Sequence, residues 1–133
     1  MMKYWFVLIG GSVLLLACNS MRRIRMENNS SEDALITWVI KEDSVNKSKL
    51  NLSSSKTVSF TLQPKKPYNK IKMSVGTGTW TPAVLTDFVD DLETLEIKCK
   101  TGTIKLDSTK IFDYLVIRRR GMDNSQIRIQ INN

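Results

Sequence analysis

The sequence predicts a mainly β domain, a β-sandwich of about seven short strands with two short helices in its connections. Three observations carry that prediction. From Arg22 onward, apolar residues recur at every second position in several short runs, the period of a strand with one buried face. Turn-forming residues punctuate the runs at Asn28-Asn29-Ser30-Ser31, at Pro64 and at Thr101-Gly102. Only two segments switch to helical spacing. The strand, helix, strand order around Thr81 leaves an α+β sheet as the alternative.

Taken in order, Ile24 and Met26 alternate with Arg23, Arg25 and Glu27. Ala34 to Lys41 is apolar on both faces, with Leu35, Thr37 and Val39 opposite Ile36, Trp38 and Ile40, as expected of a central strand. Glu42 to Ser55 is polar and reads as a loop with a short strand at Leu50 to Leu52. Val58, Phe60 and Leu62 alternate until Pro64, and Ile71, Met73 and Val75 form the next run. Thr81 then suits a helix N-cap and Pro82 the first helical position. Val84, Leu85, Phe88, Val89 and Leu92 share one stripe of that helix. Trp80 and Leu85 have the spacing of a hydrophobic staple. Leu95, Ile97 and Cys99 are followed, across Thr101-Gly102, by Ile104 and Leu106. Ser108 to Arg120 carries Ile111, Phe112, Leu115 and Val116 on one stripe, with Gly121 as C-cap glycine. Ile127, Ile129 and Ile131 close the domain, with Arg128 and Gln130 outward.

Upstream of Arg22 the chain changes character. Met1, Met2 and Lys3 form a short positive start, Trp5 to Leu16 is apolar apart from Gly10, Gly11 and Ser12, and Leu15-Leu16-Ala17-Cys18 follows. That is the order of a secretory signal. The run is shorter than the roughly 20 apolar residues a spanning helix needs. Leu15-Leu16-Ala17-Cys18 resembles the lipobox of bacterial lipoproteins, a resemblance confined to the start of the chain. It implies a signal peptide over residues 1–17, lipidation of Cys18 (palmitate among the acyl chains), a tether over 18–21 and a domain over 22–133. Two or three acyl chains anchor stably where one does not. By the same resemblance, Asn19 rather than Asp after the cysteine implies the outer membrane, with the domain facing the periplasm. The short tether holds the domain against the membrane, with Arg22, Arg23 and Arg25 at headgroup level. The competing reading makes these arginines the solvated face of an edge strand.

Composition narrows the chemistry. Removing residues 1–17 takes Lys3 from the 20 basic residues and leaves 19 against 13 acidic ones, a charge of +6. An excess of that sign favours anionic partners. The absence of histidine excludes Ser-His-Asp and Cys-His catalysis and the commonest zinc ligand. With Cys18 acylated, Cys99 has no intrachain partner, and its place beside Leu95 and Ile97 predicts a buried, inert thiol. No catalytic residue, metal or cofactor is expected.

Several residues stand as candidates. Gly76-Thr77-Gly78-Thr79-Trp80-Thr81 lacks the third glycine of a dinucleotide-binding turn, which leaves Trp80 as a ligand contact beside a flexible loop. Asp87, Asp90, Asp91 and Glu93 crowd one short helix, as a Ca²⁺ site or a carboxylate-based hydrolase would need. A solvated polar face is the simpler account of them. Arg118, Arg119 and Arg120 suit a helix C-terminus or a polyanion contact, and no aromatic interleaving supports nucleic acid. Asp43-Ser44-Val45 and Asp107-Ser108-Thr109 resemble a short O-glycosylation pattern of some exported bacterial proteins, which makes Ser44 and Ser108 candidate acceptors. Ser108 equally suits a helix cap. The expected function is a non-catalytic, lipid-anchored envelope module that binds a protein or an anionic polymer near the membrane. That class includes inhibitors of, and immunity proteins against, envelope-targeting hydrolases.

Overall fold

The computed structural model describes residues 21–44, 55–121 and 124–133. The signal segment, Cys18 and the strand expected at Leu50 to Leu52 lie outside them. Two four-stranded sheets face each other. The first has the order β4-β1-β8-β7 and the second β3-β2-β5-β6, built from β1 (Met21–Asn28), β2 (Ala34–Ile40), β3 (Thr57–Leu62), β4 (Lys70–Thr77), β5 (Leu92–Cys99), β6 (Gly102–Asp107), β7 (Arg119–Arg120) and β8 (Gln126–Ile131). Helix α1 (Pro82–Asp90) leads from β4 to β5, and α2 (Ser108–Val116) leads from β6 to β7. Each helix is therefore a crossover from one sheet to the other, and the domain is the β-sandwich that the alternation predicts. Among the described residues, seven strands match alternating runs of the sequence, and the eighth is the two-residue β7.

Strand β1 occupies the middle of the first sheet, antiparallel to β4 and parallel to β8. Its alternation is complete: Arg22, Ile24, Met26 and Asn28 are buried, while Arg23, Arg25 and Glu27 lie on the outer face. Ile24 pairs with Ile127 and Met26 with Ile129, so the first and last strands supply one apolar layer together. The facing layer comes from Ile36, Trp38 and Ile40 on β2 and from Leu92, Leu95 and Ile97 on β5. Leu85, Phe88, Ile111 and Leu115 from the helices join the same core. Burying a side chain of this size contributes about 1.5–3 kcal/mol.

Three sequence expectations need correction. Strand β2 is central, yet Leu35 is exposed and Thr37 and Val39 only half-buried, because none of the described elements covers the outer face of the second sheet. Helix α1 stops at Asp90, and Leu92 turns from its apolar stripe into the first residue of β5. Helix α2 ends at Val116 with Ile117 as its cap. Arg119 and Arg120 then pair with Ile127 and Gln126, so Gly121, at φ +84°, serves the turn after β7 rather than the helix end.

The N-caps obey simple chemistry. The Thr81 hydroxyl accepts from the Val84 N–H at 3.2 Å. For α2 the cap is Asp107, not Ser108: one carboxylate oxygen accepts from the N–H groups of Thr109 at 3.0 Å and Lys110 at 3.2 Å. The Thr109 hydroxyl bonds the same oxygen and is the main reason that the Asp107 carboxyl titrates below its ordinary value of 3.8. A carboxyl whose folded pKa is depressed stabilises the fold above its unfolded pKa. That contribution fades as pH falls below 3.8 and is gone below the folded value. We therefore expect Asp107→Asn to keep the cap but flatten the acid limb of the melting-temperature profile relative to the unsubstituted chain.

Candidate functional site

The sequence candidates separate once the chain is folded. Trp80 is fully buried. Its indole N–H donates to the Arg23 carbonyl at 3.1 Å, and its ring meets Phe88 edge-on with centroids 5.3 Å apart. It forms part of the floor of a cleft of about 300 Å³ whose other lining residues are Arg22, Val75, Val84, Asp87, Phe88 and Asp91. The staple position thus makes Trp80 a core residue, and its polar handle is spent inside the protein.

Arg22 departs most from expectation. It is not at the surface with its neighbours; it is only 8% exposed, with its guanidinium 5.3 Å from the Trp80 ring centroid. Its nitrogens donate to the carbonyls of Val75 at 3.1 Å, Thr77 at 2.8 Å and Thr79 at 3.2 Å. Between Met21 and Arg23 the ladder slips, with three steps on β4 matched by two on β1. Gly76, at φ +78°, sits in that bulge. Gly78, at φ +104°, leaves room for the guanidinium: a Cβ there would lie 3.4 Å from Arg22 Nη2. Arg22 ties the end of β4 and the loop ahead of α1 to β1, and its charge is withdrawn from the outer face of the sheet.

The arginine triplet points three ways. Arg118 lies over the Tyr114 ring at 3.5 Å and donates to the Tyr114 carbonyl at 2.6 Å. Burial raises the pKa of the Tyr114 phenol above 10.0, against the pull of the Arg118 charge. Arg119 faces inward, donating to the carbonyls of Val116 at 2.9 Å and Trp80 at 3.1 Å. Arg120 is exposed and donates to the Ile117 carbonyl at 2.9 Å. All three meet carbonyls at the end of α2, as the macrodipole favours, and only Arg120 keeps an open charge.

The acids do not converge. Asp87 and Asp91 line the cleft, Asp90 is exposed, and Glu93 on β5 pairs with Lys56 at 3.4 Å. Among the described residues no three of His, Cys, Asp and Glu are close enough to hold a metal ion. Cys99 is half-buried rather than buried, because β5 ends there at the turn into β6; its sulfur lies 3.3 Å from both Thr101 Oγ1 and the Gly102 carbonyl. Ser44 ends a 3₁₀ turn and Ser108 opens α2, both half-exposed.

The strongest surface feature is assembled by register. Arg25 is paired with Lys72 on one side and Arg128 on the other. One row along, Arg23 pairs with Ser74 and Gln126, and Gln126 with Arg120. The next row holds Lys70, Glu27 and Gln130. The outer face of the first sheet therefore carries six cations (Arg23, Arg25, Lys70, Lys72, Arg120, Arg128) and one carboxylate, Glu27, which lies 3.7 Å from both Arg25 and Lys70. The outer face of the second sheet is balanced, with Lys98 and Lys105 against Glu96 and Asp107 among Thr37, Ser59, Thr61 and Thr103. Nearly all the positive excess lies on one side.

No family model, curated protein or solved structure matches the chain. The site rests on its geometry alone.

Sequence reasoning named Arg23, Arg25 and Arg120 but missed Lys70, Lys72 and Arg128 as members of one surface. The signal was present, since each alternates with buried apolar neighbours. Two variants separate structure from surface. Arg22→Ala leaves buried carbonyls without donors and should cost about 2–4 kcal/mol, read from the urea midpoint. Arg128→Gln should not lower the midpoint and should raise it slightly at low salt, because it relieves a like-charge pair across strands.

Proposed function

We propose that this chain is a non-catalytic, lipid-anchored module of the cell envelope that uses the outer face of its first sheet to bind an anionic partner, a polymer or the acidic surface of a protein, close to the membrane. The charge segregation carries this reading. Six cations converge on one open face from four strands, while the opposite face is neutral. Such a face raises the local concentration of anionic partners and speeds encounter. The lipobox-like Leu15-Leu16-Ala17-Cys18 supplies the anchor in this reading. The outer membrane, periplasmic side, is the proposed address, and an inhibitor or immunity role fits a module of this kind.

The rival, a hydrolase using Asp87, Asp90, Asp91 and Glu93, has less support. Two of those acids line a cleft with Arg22, a third is solvated, and the fourth is paired with a lysine on another strand.

Three measurements test the proposal. Palmitate labelling of the chain should disappear in Cys18→Ala, and a variant that still labels would remove the anchor from the proposal. The chain should be retained on immobilised dextran sulfate and elute at clearly lower salt after Arg25→Gln, Lys72→Gln and Arg128→Gln together. Unchanged elution would place binding elsewhere. Asp90→Asn with Asp91→Asn should leave retention unaltered, whereas loss of a measured turnover in that variant would favour the hydrolase.

A further inference from the structure

We infer that the anionic partner of the basic face is the phospholipid headgroup layer of the membrane that holds the anchor, so that the first sheet lies flat on the bilayer and the second sheet faces away. This rests on the proposed function, because it takes both the lipid on Cys18 and the basic face from it.

The covalent distances bring the two together. Strand β1 begins at Met21, so only Asn19 and Ser20 separate it from Cys18. Three residue steps span at most about 10 Å, and Arg25 is within about 25 Å of the lipidated residue along an extended chain. Arg23 and Arg25 therefore meet the headgroups around the anchor at an effective concentration on the order of millimolar, ahead of any free polymer.

The shape of the face agrees. Its cations stand on paired positions of a sheet, in rows across strands, and none of the six lines any of the clefts at Trp80, Ile104 or Lys100. Cations spread over rows on four strands, outside those clefts, suit a broad layer of charge better than a single polymer strand. The paired positions (Ser74, Arg23, Gln126, Arg120; Lys72, Arg25, Arg128; Lys70, Glu27, Gln130) include no aromatic ring. Stacking on sugars or bases is therefore absent from the recognition this face offers. Contact with lipid would be electrostatic and peripheral, and so sensitive to salt. Met21, 46% exposed at the start of β1, is an apolar side chain next to the tether in sequence.

The test uses the processed, lipidated protein reconstituted into vesicles of phosphatidylcholine alone or mixed with phosphatidylglycerol. In a Cys99→Ser background, Arg128→Cys places a fluorophore on the basic face and Ser59→Cys places one on the opposite face. With phosphatidylglycerol, acrylamide should quench the probe at 128 several-fold less than the probe at 59. The difference should vanish in phosphatidylcholine and at roughly 0.5 M salt, where screening acts within a few ångströms. Arg25→Gln with Lys72→Gln should also abolish it, since each headgroup-level cation adds about fivefold to partitioning. The salt arm needs no further substitution and keeps the test valid if that variant is unstable. A probe at 128 that stays as open as the probe at 59 on anionic vesicles, or that is shielded equally on neutral ones, overturns the inference. Retention on dextran sulfate then separates the cases. If it persists, the face serves a soluble polyanion and the proposed function stands; if it is lost too, both fail.

Discussion

The parallel pairing of β1 with β8 is the constraint from which the rest of this structure follows. It joins the first and last strands of the domain, more than a hundred residues apart, and sets Ile24 against Ile127 and Met26 against Ile129. Alternation along a strand leaves no freedom after that: if residues 24 and 26 face the core, residues 23 and 25 face out. A slip of one residue would turn Arg23 and Arg25 into the sandwich and Ile24 and Met26 into water. The basic face is thus fixed by the packing of the opposite face.

The same alternation explains why three neighbouring arginines have two different fates. Arg22 falls on the inner side, at the end of the apolar layer, where a charge is tolerable only if its donors find acceptors. It finds three carbonyls, those of Val75 and Thr77 at the end of β4 and that of Thr79 in the loop leading to α1. Asn28 mirrors it at the other end of β1: its side-chain amide donates to the carbonyls of Glu32 and Leu62 at 2.8 Å, and its oxygen accepts from Ser30. Leu62 belongs to the second sheet, so Asn28 joins the two layers where Arg22 fastens a crossover. The inner row of one strand therefore seals the sandwich at both ends and fills its middle.

How much of this was legible in the sequence depends on the range of the interaction. The period of two in β1, β4 and β8 is local, and so were the caps at Thr81-Pro82 and the two helical stripes. Helix ends were harder to read. Nothing local shows that Leu92 is needed as the first buried residue of β5, or that Arg119 and Arg120 must pair with β8. Arg22 was misread because it looks exposed by its neighbours and is buried against carbonyls more than fifty positions away. The basic face was legible only in pieces. Arg25, Lys72 and Arg128 each look like an ordinary solvated position, and only strand order and register make them neighbours.

A solvated surface needs charge, but it does not need charge of one sign. Lysines on an edge strand guard against unwanted strand pairing, and that would account for Lys70 and Lys72, since β4 is an edge of the first sheet. It does not account for Arg25, because β1 is an interior strand paired on both sides, or for Arg128, whose backbone N–H already donates to the Arg118 carbonyl at 3.0 Å. Solubility does not account for them either, since interspersed signs serve it as well, and the second sheet shows the arrangement in Glu96 beside Lys105. Placing Arg25 between Lys72 and Arg128 sets like charges directly opposite one another, which works against the sheet. A single Glu27 offsets little of that repulsion. A row that folding does not require, and that folding alone would disfavour, is the feature on which the proposed anionic partner rests.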